Sequence, residues 1–272
     1  MSKADIIFKQ NLEEILKQEW EVDNRAIWKD GSKVFTKRII GIVNKYDLSE
    51  EFPILTLRPI WLKGVIDEIL WIFQKRSNNI KDLNSSIWND WANKEGSIGK
   101  AYGYQINKPM LGYPSQIDYV LNTIKNNPTS RRIMMNMFNV EDMPHKNLIE
   151  CAYGVHFSVK DGKLHTSLIQ RSGDFITAAC PGGWNVVGYA ILTHMIAIHC
   201  GLEVGTLTHF IQDLHIYNKH EELAYELLNR EPRQAPKLII NPKINNFYDF
   251  NVDDFRLENY FPHPQIKIEI AI

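Results

Sequence analysis

Three residues capable of chemistry converge at the open end of one predicted hairpin. "CAYGVHFSVKDGKLHTSLIQRS" carries Asp161-Gly162, a strong two-residue turn signal, between two runs of β-type alternation. With an unbroken ladder Lys160 pairs with Lys163, and the same register puts Cys151 opposite Ser172 and beside Arg171. Opposed residues in such a ladder lie about 5 Å apart. A guanidinium near a thiol favours the thiolate, which is the nucleophile. Arg171 and Ser172 also supply donors that suit a phosphate. A plainer reading stays open on register alone: Cys151 as a core residue and Arg171 in a structural ion pair.

Other residues add weaker signals, each with a structural reading beside the functional one. "SRRI" sets Arg131 beside Arg132, a phosphate clamp or a solvated pair. "QDLHIY" puts Asp213, His215 and Tyr217 at period two, on one face of a strand that could bond a sugar hydroxyl. Glu68 shares a helix face with Trp61, Val65 and Ile72, and a carboxylate in apolar surroundings has a raised pKa that suits proton transfer. It could equally edge the apolar stripe. Trp88 and Trp91, three apart, can wall a pocket for a flat ring or simply fill a core. Cys180, between two alanines and Pro-Gly-Gly, reads as loop packing.

The elements that must position these groups follow from pattern. Helices are predicted over roughly residues 4–20, over "WLKGVIDEILWIF", and from about Asn185 to Cys200 with Gly201 as C-cap. The last is apolar nearly all round, hence buried at the centre of the fold. It reads as shorter than a membrane span. The 272 residues show no repeat and no linker, which suits one α+β domain over 1–272. Lys plus Arg (31) balance Asp plus Glu (32), so no global field recruits nucleic acid or membrane. The three cysteines lack metal-site spacing and suit a reducing compartment. No signal-peptide order opens the chain, and the reading is cytoplasmic.

Taken in order, "EILW", "IWNDW", "YGYQ", "SRRI", Cys151, "QRSGD", "WN" and "DLHIY" resemble the thymidylate synthase family over nearly the whole chain. Twenty residues separate Cys151 from Arg171, as in that family, and the tail from "REPRQAPKLIINPK" to the closing "AI" is similar too. The resemblance implies a large twisted mixed β-sheet packed on a buried central helix with flanking helices, and sheets stacked at a homodimer interface. It places Cys151 on the nucleophile, and Arg25, Arg171 and Ser172 on phosphate ligands. Arg131 and Arg132 match the pair donated across the dimer. Asn185 falls on the residue that reads the pyrimidine edge, and His215 and Tyr217 on the deoxyribose contacts. Glu68, Tyr102 and Asp174 match the proton-transfer network. Trp88, Trp91 and Asp174, with Ala271 in the closing "AI", fall around the folate.

The implied reaction is reductive methylation of dUMP. Cys151 attacks C6, C5 takes the one-carbon unit of 5,10-methylenetetrahydrofolate, and a hydride from the folate completes dTMP, leaving dihydrofolate. The folate supplies carbon and hydride, so no metal is required. Departures from the family pattern are Glu150 where Pro is usual, Ala152 where His is frequent, and Gln212 in place of a Gly. The largest is length: eleven residues run from Asp174 to Asn185, against eight in the family pattern. A remodelled loop there could admit water, which keeps a phage-type hydroxymethylase on the same fold as a rival. Asn185, where users of dCMP tend to carry Asp, favours uracil in either case. A silent nucleotide- or RNA-binding homologue is a third reading, opposed by the retained Cys151, Glu68 and Asn185.

Overall fold

The amphipathic N-terminal stretch forms α1 (Lys3–Leu16), capped by the Ser2 side chain and burying Ala4, Phe8, Leu12 and Ile15. It stops short of the predicted limit because Lys17, Gln18 and Glu19 offer nothing apolar to extend the stripe. The structure is a computed structural model describing residues 1–269, apart from the side chain of Arg25. Of the residues assigned above, the Arg25 side chain and Ala271 therefore lie outside the described residues.

A hairpin of β1 (Glu21–Ile27) and β2 (Lys33–Asp47) follows. Then comes α2 (Leu62–Ile69), which widens into a π-helical turn over Leu70–Gln74 rather than continuing as α-helix. Next are α3 (Gly103–Ile106), α4 (Gln116–Asn126), β3 (Met134–Asn136), β4 (Ala152–Lys160), β5 (Lys163–Gln170) and β6 (Gly173–Asp174). The buried α5 (Trp184–Cys200) leads through Gly201 into β7 (Glu203–Tyr217) and α6 (Glu221–Asn229). A separate ribbon pairs β8 (Lys237–Ile240) with β9 (Phe255–Glu258).

The main sheet runs β1-β2-β7-β5-β4-β3, with β6 also paired to β7. Both β5 and β6 lie parallel to β7 and the other pairs are antiparallel, so the sheet is mixed as expected. α5 packs against both α2 and the sheet. Its apolar surface is buried from Val186 to Ala197 but for the part-buried His194, the arrangement its all-round hydrophobicity requires. Leu164, Leu168, Leu207 and Ile211 meet it from β5 and β7 and complete one core.

The central hairpin turns at Asp161-Gly162, both in the left-handed region (φ 53° and 73°), and Lys160 pairs with Lys163 as predicted. The register does not hold to the end. Gly154 faces Ile169, but Ala152 faces Gln170, so Tyr153 is an extra residue in a β-bulge. Cys151 consequently comes level with Arg171 rather than Ser172, and the Arg171 N–H donates to the Cys151 carbonyl at 2.8 Å.

The extra length between Asp174 and Asn185 folds inward. It is a π-helix over Phe175–Ala179 and a tight turn into α5. Phe175 packs on Phe8 with ring centroids 4.7 Å apart, and Ile176, Ala179 and Cys180 are buried. The buried Arg58 donates to the carbonyls of Ile176 (2.6 Å) and Thr177 (3.3 Å). Gly182 (φ 69°) accepts the Leu55 N–H at 2.9 Å, and a Cβ there would stand 2.7 Å from that nitrogen. α5 alone, with 17 residues, is short for a membrane span, as read. Counted together with the π-helix and turn before it, Phe175–Cys200 is long and apolar enough to span a bilayer, yet 78% of its most apolar stretch is buried inside the protein.

Candidate active site

The open end of the hairpin, the start of α5, the end of β7 and the α2 face enclose a cavity of about 390 Å³. Eleven of the predicted site residues line it. Cys151, Arg171 and Ser172 come from the hairpin; Asn185 and Asp174 come from α5 and the segment before it. His215 and Tyr217 reach it from β7, Glu68 from α2, and Trp88, Trp91 and Tyr102 from the loops after α2. Arg131 and Arg132 do not line it; they are exposed on the turn before β3.

Cys151 is half-buried. The Arg171 guanidinium lies 3.8 Å from its Sγ, and is itself fixed by donating to the carbonyls of Ile149 (2.7 Å) and Glu150 (3.0 Å). A thiol facing a cation held by backbone oxygens is favoured as thiolate. On the other side the Cys151 N–H donates to the Tyr102 hydroxyl at 3.1 Å. Burial and the neighbouring Cys151 raise the Tyr102 pKa well above its ordinary value, so the phenol stays protonated. By contrast, burial pushes the Cys180 thiol up to about 11, which suits packing rather than attack.

Glu68 is 9% exposed and sits between two indoles. Trp88 and Trp184 each donate an Nε1–H to one carboxylate oxygen, both at 2.7 Å. Burial raises its pKa and the two N–H donors pull it partly back. The result is a carboxyl group that holds its proton more readily than an ordinary glutamate, as proton exchange requires. Trp88 meets Trp91 edge-on at 5.7 Å and Tyr102 at 5.1 Å, so the tryptophan pair forms one wall, as its spacing implies.

Asn185 stands in the first turn of α5. Its Oδ1 accepts from Gln170 Nε2 at 3.3 Å, and Gln170 is held in turn by the Ser172 carbonyl (2.9 Å) and His209 Nε2 (2.8 Å). Burial lowers the His209 pKa to about 3, so it is neutral and its Nε2–H orients the Gln170 carbonyl. Asp174 accepts the N–H groups of Ile176 (3.1 Å) and Thr177 (3.3 Å), a capping duty added to its place in the cavity. His215 Nδ1 bonds Asp213 at 2.9 Å, and Asp213 bonds Arg38 at 3.1 Å. Burial would raise the Asp213 carboxyl, but His215 and Arg38 outweigh it and hold it below its ordinary value.

A second recess of about 320 Å³ shares Arg171, Ser172 and His215 with the first and extends towards Arg38, Glu21 and Asp23. The site is thus apolar at its tryptophan end and polar at its arginine end. Sequence reasoning gave no role to Trp184, to Gln170, or to the buried Glu150 with its partner Lys146. Trp184 had a readable signal, since an indole N–H at the start of an apolar helix needs an acceptor. Gln170 had none beyond its place next to Arg171.

The thymidylate synthase family model matches residues 6–272. Thymidylate synthase of Bacillus mojavensis is 38% identical over 283 residues, covering 100% of both chains. Its counterpart from Streptococcus pneumoniae (strain 70585) is 39% identical over 287 residues, again covering 100% of both. Among solved structures, the thermostable thymidylate synthase A from Bacillus subtilis superposes with a TM-score of 0.92 at 35% identity, over 99% of each chain.

Proposed function

The chain belongs to the thymidylate synthase family, and on that premise we propose which residues carry the conversion of dUMP and 5,10-methylenetetrahydrofolate into dTMP and dihydrofolate. The observation that carries the assignment is the approach of Arg171 to Cys151 in a cavity that also holds Glu68 and Asn185.

Cys151 attacks C6 of the uracil ring as thiolate, and C5 becomes nucleophilic. Arg171 stabilises the thiolate and, with Ser172, holds the phosphate; Arg25 matches a further phosphate ligand. Asn185, steadied by Gln170, pairs with the base edge through both its donor and its acceptor. His215, fixed by Asp213, and Tyr217 hold the sugar. The tryptophan wall with Ile69 and Ile72 fits a flat pterin, and Asp174 gives it a polar edge. The folate supplies the one-carbon unit and the hydride. Glu68 exchanges a proton at the O4 side of the base through water, and Tyr102 assists removal of the C5 proton.

Hydride rather than water as the final step is supported by the inserted segment. It is pinned into the core by Arg58 and Phe175, and of its residues Thr177, Ala178 and Trp184 line the cavity. The protein works as a C2 homodimer in which Arg131 and Arg132 reach the partner's phosphate site. In support, exposed apolar residues stand on the sheet: Ile40 (56%) and Val43 (52%) on β2 are exposed, and Phe210, which pairs with Val43 from β7, is half-buried. A cytoplasmic location follows from the same reading. The assignment of Cys151 is tested with dUMP carrying fluorine in place of the C5 hydrogen, which blocks loss of the C5 proton. Mass spectrometry should find nucleotide and folate joined to the Cys151 peptide; an unmodified Cys151 would refute it.

A further inference from the structure

Directly behind the nucleophile lies an ion pair for which the proposed reaction has no use. Lys146 and Glu150 are fully shielded from solvent at the side-chain level. Lys146 Nζ donates to both Glu150 oxygens, at 2.9 and 2.7 Å, and to the Met137 carbonyl at 2.9 Å. Burying two charges is costly, and stability alone seldom requires it. The same place in the family pattern usually carries Pro, which has no such side chain.

The Glu150 carboxylate has a third partner. Its Oε1 accepts the backbone N–H of Tyr102 at 3.1 Å. Tyr102 has φ 43° and ψ −103°, a conformation rarely adopted by residues with side chains, and one that persists only when its surroundings enforce it. The Tyr102 hydroxyl then accepts the Cys151 N–H at 3.1 Å. A ring therefore closes from Glu150 through its carboxylate to Tyr102, and from the Tyr102 hydroxyl back to Cys151. The Glu150 carbonyl meanwhile accepts from Arg171 Nε.

Resting on the reading of Cys151 as nucleophile, we infer that Glu150 is a positioning residue, neutralised by Lys146, whose carboxylate clamps the strained Tyr102 backbone and thereby sets Tyr102, Cys151 and Arg171 in mutual register. Lys146 makes a buried carboxylate tolerable at that point.

Two neutral double variants separate the hydrogen bond from the charge. Lys146→Met with Glu150→Leu removes the ion pair and the acceptor; Lys146→Met with Glu150→Gln removes the charge but keeps an acceptor for Tyr102. Two readouts are taken: kcat and KM for dUMP, and the pH profile of Cys151 alkylation by iodoacetamide without substrate. The Leu double should lose about tenfold or more in kcat with little change in KM, the scale at which small misplacements act. Its alkylation midpoint should also move to higher pH as Arg171 loses alignment. The Gln double should recover to within about threefold of the parent.

Equal behaviour of the two doubles, whether both active or both impaired, would overturn the clamp. Amide exchange on the unaltered protein tests it without mutation. The Tyr102 N–H should exchange only on global opening, and exchange at the rate of a surface loop would also overturn the clamp. Alkylation and exchange need no turnover, so failure of the dTMP reaction would be seen separately from failure of the clamp.

Discussion

At the scale of single residues, Cys151 and Glu68 give the clearest expectations. Cys151→Ser should abolish dTMP formation while retaining dUMP binding, read by calorimetry beside an activity assay. Glu68→Gln should lower kcat by about 100-fold or more, in line with loss of a general acid–base group. It carries a stability signature too. Burial raises the folded pKa of Glu68 above that of the unfolded chain. The stability this gives is complete below the unfolded value and is lost as pH rises through the folded one. The Gln side chain lacks that titration. As pH rises from the ordinary carboxylate range through the raised folded value, the Tm difference should therefore shift in favour of the variant. A difference independent of pH would contradict the burial argument. Cys151, Arg171 and Glu68 were legible because their types and neighbours already announce chemistry. Trp184 and Gln170 were not, since their roles depend on which side chains the fold brings opposite them.

At the scale of elements, the inserted segment and the hairpin bulge show where sequence reasoning reached its limit. The Asp161-Gly162 turn and the alternation on either side fixed the Lys160–Lys163 pair, because turn chemistry and side-chain period are local. The bulge at Tyr153 left no local mark. It arises where Arg171 and Tyr102 take hold of the Cys151 backbone, a demand made by residues distant in sequence. The eleven-residue stretch after Asp174 reads from sequence only as a remodelled loop, with no sign of its path. Its inward course depends on Arg58, which lies over a hundred residues earlier and caps two of its carbonyls. Arg58→Met should cost about 2 kcal/mol in denaturant unfolding, the scale for losing hydrogen bonds from a charged donor. It should weaken folate more than dUMP, since Arg58 holds the Thr177 carbonyl and Thr177 is capped by Asp174, the residue assigned to the polar edge of the folate. Equal loss for both ligands would mean the segment supports the whole site.

At the scale of the whole molecule, the mixed sheet leaves Ile40 and Val43 exposed on β2, and the proposed dimer would cover them with a second copy. The protein should sediment as a dimer. Arg131→Ala with Arg132→Ala should raise the KM for dUMP about tenfold or more by removing charge-assisted contacts to phosphate. Mixing that variant with Cys151→Ser should restore activity after subunit exchange, because one site of the hybrid has an intact cysteine and intact partner arginines. No recovery with demonstrated exchange would place both arginines in their own subunit's site. The central claim is that a folate-derived hydride completes the methyl group on dUMP. The most direct test supplies dUMP and 5,10-methylenetetrahydrofolate to the enzyme and identifies both products by mass spectrometry. Equal amounts of dTMP and dihydrofolate are predicted; hydroxymethyl-dUMP with tetrahydrofolate would contradict the account.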